Sequence, residues 1–124
     1  MAAKKVLLIG LEPSVVDFSE LPAKLDEPTL RAALDVDLKR VRELGYDAKW
    51  LLTDRGETAA RVVAEDLAAT SYDVILVGAG IRTIPSIFSL FEKLLNVIHE
   101  KAPHAKIAFN TKPDDTAASV QRWA

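Results

Sequence analysis

Two short apolar segments constrain this chain more than any other feature. Residues 4–9 carry the run Val6-Leu7-Leu8-Ile9 and close on Gly10; residues 73–77 carry Val74-Ile75-Leu76-Val77 and close on Gly78. Neither run alternates with polar residues, which is the pattern of a strand buried on both faces. The intervening sequence supplies helices to do the covering. In residues 29–44, Leu30, Leu34, Leu38 and Val41 recur at helical spacing, with Pro28 before them and Gly45 after. A second strand is expected over 47–52, interrupted by Lys49, and a second helix over 57–70, just after Gly56. Residues 85–101 predict a third helix with Thr83 or Ile84 at its cap position, and 106–109 a short fourth strand. A last helix spans 111–123, with Asp114 and Asp115 in a first turn whose dipole favours acids.

Strands alternating with helices throughout predict an α/β fold with a doubly wound parallel sheet. No repeat, low-complexity segment or linker divides the chain, so one α/β domain is expected over 1–124. Strand order follows from polarity. The first and third strands are pure apolar runs and belong in the centre. The second and fourth carry Lys49 and Lys106 and belong at the edges, where charge blunts strand addition. The resulting order, 2-1-3-4, resembles the flavodoxin-like arrangement. The alternative, a Rossmann-like 3-2-1-4, would bury the Lys49 strand. With right-handed crossovers, winding in the 2-1-3-4 order reverses between the first and third strands.

Composition narrows the function classes. The 16 Lys and Arg nearly balance the 18 Asp and Glu, and the net charge of -2 gives no footprint for nucleic acid or an anionic membrane. There is no cysteine, which excludes disulfides, thiolate catalysis, zinc–thiolate sites and Fe–S clusters. Uncharged stretches fall far short of the about 18 residues of a spanning helix, and the opening residues are too sparsely apolar for a signal peptide. The chain reads as cytoplasmic. His99 and His104 straddle Pro103 and share no helical face, so no metal site is expected.

In open α/β sheets ligands bind beyond the carboxyl ends of the strands, where the strand order reverses. Two connections bound that crevice. The first, residues 10–28, is far longer than the about 2–6 residues usual in such units. It holds Glu12, Asp17, Glu20, Asp26 and Glu27 against the single base Lys24, together with Val15, Val16, Phe18 and Leu21. It is either a lid or a packing element. The second runs Gly78-Ala79-Gly80-Ile81-Arg82-Thr83-Ile84-Pro85-Ser86. Its glycines permit close backbone approach, Arg82 offers a counter-charge, and Thr83 and Ser86 offer hydroxyls or simply a helix cap. The expected ligand-binding set is therefore Gly10, Glu12, Gly78, Gly80, Arg82, Thr83 and Ser86. The same rim carries Asp54, Arg55, Asn110, Thr111 and Lys112. No carboxylate stands out as a general base, although Glu12 or Asp17 could act beside Arg82.

Known families of this fold make demands that the residues fail. A receiver domain needs an acidic pair after the first strand and an aspartate after the third, where this chain has Gly10-Leu11-Glu12 and Gly78-Ala79-Gly80. The hydroxyl-rich phosphate loop of flavodoxins is reduced to Ser14, and the dinucleotide fingerprint, Walker A sequence and cobalamin motif are all absent. Two further features stand out. In the third helix, apolar residues from Ile84 to Ile98 cover an arc of about 180°, wider than one sheet requires. A homodimer through helix 85–101 would bury the excess, as would neighbouring elements of the same chain. Asp37 falls on the apolar stripe of the first helix, where a carboxylate must be paired or hydrogen-bonded; a structural salt bridge or dimer contact is expected ahead of a ligand role. Trp50 and Trp123 read as packing residues.

Two functions are compatible with this sequence. One is a domain that binds, or acts on, a small anionic or nucleotide-like ligand at the ends of the first and third strands. The other is a non-catalytic homodimeric interaction module. No cofactor is indicated.

Overall fold

The computed structural model describes residues 3–21 and 25–124. Lys24, the base in the first connection, lies outside them. Four strands, β1 (Lys5–Leu11), β2 (Asp47–Thr53), β3 (Val74–Val77) and β4 (Lys106–Phe109), form one parallel sheet in the order β2-β1-β3-β4. This is the flavodoxin-like arrangement. The Rossmann-like alternative is not adopted, because β1 pairs with both β2 and β3 and leaves the lysine-bearing strands outside. At the β2 edge, Lys49 Nζ sits 2.7 Å from Asp66 of α2 (Ala59–Ala69), a pairing that a flanking strand would not supply.

Because successive strand residues point to opposite faces, β1 divides the core in two. Leu7, Ile9 and Leu11 face α2 and α4 (Phe88–Lys101), joining Val63, Leu67, Leu90, Leu94 and Ile98. Val6 and Leu8 face α1 (Glu27–Glu43) and α5 (Thr116–Trp123), joining Val41 and Val120. Gly10 continues the second series, but with no side chain it leaves room on that face.

Helix boundaries shift where side chains cap them. The first helix starts at Glu27, two residues before the predicted Thr29, because Asp26 accepts from the Thr29 amide at 2.9 Å. Pro28 lies inside its first turn, where a missing N–H is harmless. Asp54 gathers the amides of Gly56, Thr58 and Ala59, so α2 begins at Ala59 and not at residue 57. Gly78-Ala79-Gly80 is not an open turn: Ala79–Arg82 is a one-turn helix, α3. Neither Thr83 nor Ile84 caps the next helix by its side chain; the Thr83 hydroxyl donates to Ala79 O at 2.6 Å instead. A tight turn, Pro85–Ile87, leads into α4, and another, Pro113–Asp115, into α5.

The wide apolar arc of α4 is largely used within the chain. Leu90, Leu94 and Ile98 are buried, and Phe91, Leu95 and Val97 pack against the same core. Val15, Val16 and Leu21 of the first connection join it too. Phe88, 56% exposed, is what remains. No helix among the described residues is long and apolar enough to cross a membrane.

Candidate functional site

A cavity of about 300 Å³ opens at the carboxyl ends of β1 and β3, on the face covered by α1 and α5. This volume is at the lower end for small-molecule sites. Gly10 creates part of the space: a Cβ there would lie 3.0 Å from Cζ3 of Trp50. The Trp50 ring forms a wall and is held in place by its Nε1, which donates to Leu34 O at 2.9 Å. The packing role expected of Trp50 is thus joined by a place in the cavity lining. Leu30 and Leu34 of α1 form a second wall, and Val16, Leu21 and Leu25 a third. Gly78, Ala79, Gly80, Thr83 and Ile84 close the side beyond β3.

Into these apolar walls the fold brings a connected polar chain. The Ala79 amide donates to Asn110 Oδ1 (2.8 Å), Asn110 Nδ2 donates to Thr116 Oγ1 (2.9 Å), and Thr116 Oγ1 donates to Asp37 Oδ2 (3.0 Å). Asp37, Asn110 and Thr116 are all buried, and Asp37 and Asn110 line the cavity. Asp37 is 3% exposed; the partner its burial calls for is the Thr116 hydroxyl, and it forms no salt bridge among the described residues. Burial pushes its carboxyl up to about 6, against the Thr116 hydrogen bond and the charge of Arg40; Asp114 and Asp115 add to the rise.

Of the residues expected to bind a ligand, Gly10, Gly78, Gly80 and Thr83 meet around this cavity. Glu12, Arg82 and Ser86 are engaged elsewhere. Glu12 pairs with Arg31, which holds its carboxyl below the usual range. Arg82 donates to the Asn110 carbonyl, stacks over the Phe109 ring at 5.4 Å and leaves its Nε buried without a hydrogen-bond partner among the described residues. Ser86 donates to Glu20 at 2.7 Å and accepts from Arg55 at 3.0 Å. With the Arg55 bond to Val15 O, these contacts fasten the first connection to the opposite side of the sheet. Thr111 and Lys112 lie on the cavity rim. There Asp115, despite its partial burial, is held low by the hydroxyl and amide of Thr111.

Neither Asp37 nor Thr116 belongs to the ligand-binding set expected from the sequence. An aspartate on an apolar helical stripe was the available signal for the first; nothing local marks the second. Compared with models of protein families and with curated proteins, the chain matches none.

Proposed function

We propose that this protein binds a small organic molecule in the cavity at the carboxyl ends of β1 and β3. The observation that carries this reading is a space of about 300 Å³ at the topological switch point, with a buried carboxyl and carboxamide set among apolar walls. That volume suits a body of one or two rings with one polar group. The anionic character expected from Arg82 draws no support from its geometry, since its guanidinium is committed to Asn110 and Phe109. Binding is the activity proposed; Asp37 and Lys112 are the titratable side chains among the described lining residues.

A melting-temperature screen of small ring compounds tests this reading. A ligand at about 100 times its Kd stabilises by about 2.7 kcal/mol. At least one compound should raise the Tm of the natural chain, and Leu30→Trp, which fills the cavity from its α1 wall, should abolish the effect. Stabilisation that survives this change, or none across the panel, refutes it.

A second reading rests on Phe88. Its exposed ring meets Phe91 edge-on at 6.3 Å, and Phe91 meets Phe109 of the edge strand at 6.0 Å. This aromatic row supports self-association through the α4 face. Sedimentation equilibrium of the natural chain and Phe88→Ser would show a dimer weakened by the change; a monomer in both refutes it.

A further inference from the structure

The walls of the cavity say more about its occupant than its volume does. An isolated carboxylate in an apolar enclosure is costly unless something compensates it. Asp37 receives one hydrogen bond, from Thr116 to Oδ2, and its other oxygen meets no donor of the chain among the described residues. The cation on its own helix, Arg40, acts on it through space without forming an ion pair. Across the rim, Lys112 is exposed and lies 3.7 Å from Asp114. The remaining charges that bear on the carboxyl, Asp114 and Asp115, are themselves acidic.

The second group is Trp50, whose side chain lines the same space and is locked by its bond to Leu34 O. A carboxylate with an unfilled acceptor site and an aromatic side chain fixed beside it are two features by which proteins receive organic cations. An anion would meet Asp37 without Arg82 to offset it.

We infer that the cavity takes a small molecule with an apolar ring and a single protonated nitrogen, the nitrogen lodging against the free oxygen of Asp37 and the ring against Trp50. This inference rests on the cavity being a ligand site, and it assigns the class of ligand.

Benzylamine, benzyl alcohol and benzoate share one ring and differ in charge, so they separate the two ideas. Each is titrated into the isotopically labelled natural chain while the backbone amides of Gly10, Gly78, Gly80 and Asn110 are followed by NMR. At pH about 7.5 benzylamine should shift these amides and bind at least about tenfold more tightly than the other two. Its advantage should shrink toward pH about 5, as Asp37 takes up a proton while the amine remains charged. Asp37→Asn should remove the advantage and leave the weaker alcohol binding in place. Should that variant not fold, the pH dependence in the natural chain decides alone. Equal affinities, or a preference for benzoate, with the same amides shifting would overturn the cationic ligand and leave the site standing. Failure of all three to shift any of these amides would overturn both.

Discussion

Replacing Asp37 by asparagine should stabilise this protein at neutral pH and do almost nothing for it in mild acid. In the unfolded chain the carboxyl ionises near 3.8, and in the folded protein near 6. Below about pH 3.8 both states hold the proton and the group has no effect. Between 3.8 and 6 the unfolded chain ionises first, so stability falls with rising pH; above about 6 the loss is complete. At about 1.4 kcal/mol per pH unit that loss is about 3 kcal/mol. The carboxamide of Asp37→Asn would keep an acceptor for Thr116, but its NH2 group would face the cavity unpaired, at a cost of about 1 kcal/mol. The variant should therefore be about 2 kcal/mol more stable than the natural chain at pH 7.5, worth roughly 8 °C in Tm at this chain length, and about level with it at pH 4.5. Urea denaturation at the two pH values measures the difference, with contributions from other groups cancelling between the proteins. A difference that does not change with pH, or a variant less stable at pH 7.5, would refute the reasoning. The gain would come with loss of the acceptor proposed for a ligand, a trade expected at binding sites.

Other substitutions probe the surroundings. Gly10→Val drives a branched side chain toward the Trp50 ring, where even a Cβ comes within 3.0 Å; it should cost about 1–3 kcal/mol in chemical denaturation and alter tryptophan fluorescence. Arg82→Ala removes the bond to the Asn110 carbonyl and the stacking on Phe109, and should lower stability by about 1–2 kcal/mol while leaving benzylamine affinity unchanged in NMR titration. Leu94→Ala empties a fully buried position between α4 and the sheet, and should cost about 2–5 kcal/mol by urea denaturation.

The sheet was legible because strand burial is written locally. Val6–Ile9 and Val74–Val77 have no polar residue to place on a solvent face, and Lys49 and Lys106 mark the edges. Helix ends were less legible because they depend on which side chain reaches which amide: Asp26 lengthens α1 and Asp54 shortens α2 by bonds that the apolar periodicity does not encode. The short α3 was hidden by Gly80 within it and Gly78 at its cap; the low helix propensity of Gly80 is overridden once Gly78 N–H bonds to Ile9 O and the turn packs Ile81 into the core. The location of the cavity followed from strand order, but not its polar floor. That floor joins Asp37 to Thr116, 79 positions away in the chain. Arg82 illustrates the converse: a charge at the right place in the sequence, whose guanidinium lies over Phe109 and against the Asn110 carbonyl.

The most direct measurement is a carbon-13 NMR titration of the Asp37 side-chain carboxyl, in the free protein and again with saturating benzylamine. A desolvated acceptor awaiting a cation should titrate near 6 when free, and should move down toward the ordinary aspartate range once the amine is bound. A carboxyl that already titrates near 3.8 in the free protein, and stays there when the amine is added, would contradict the account.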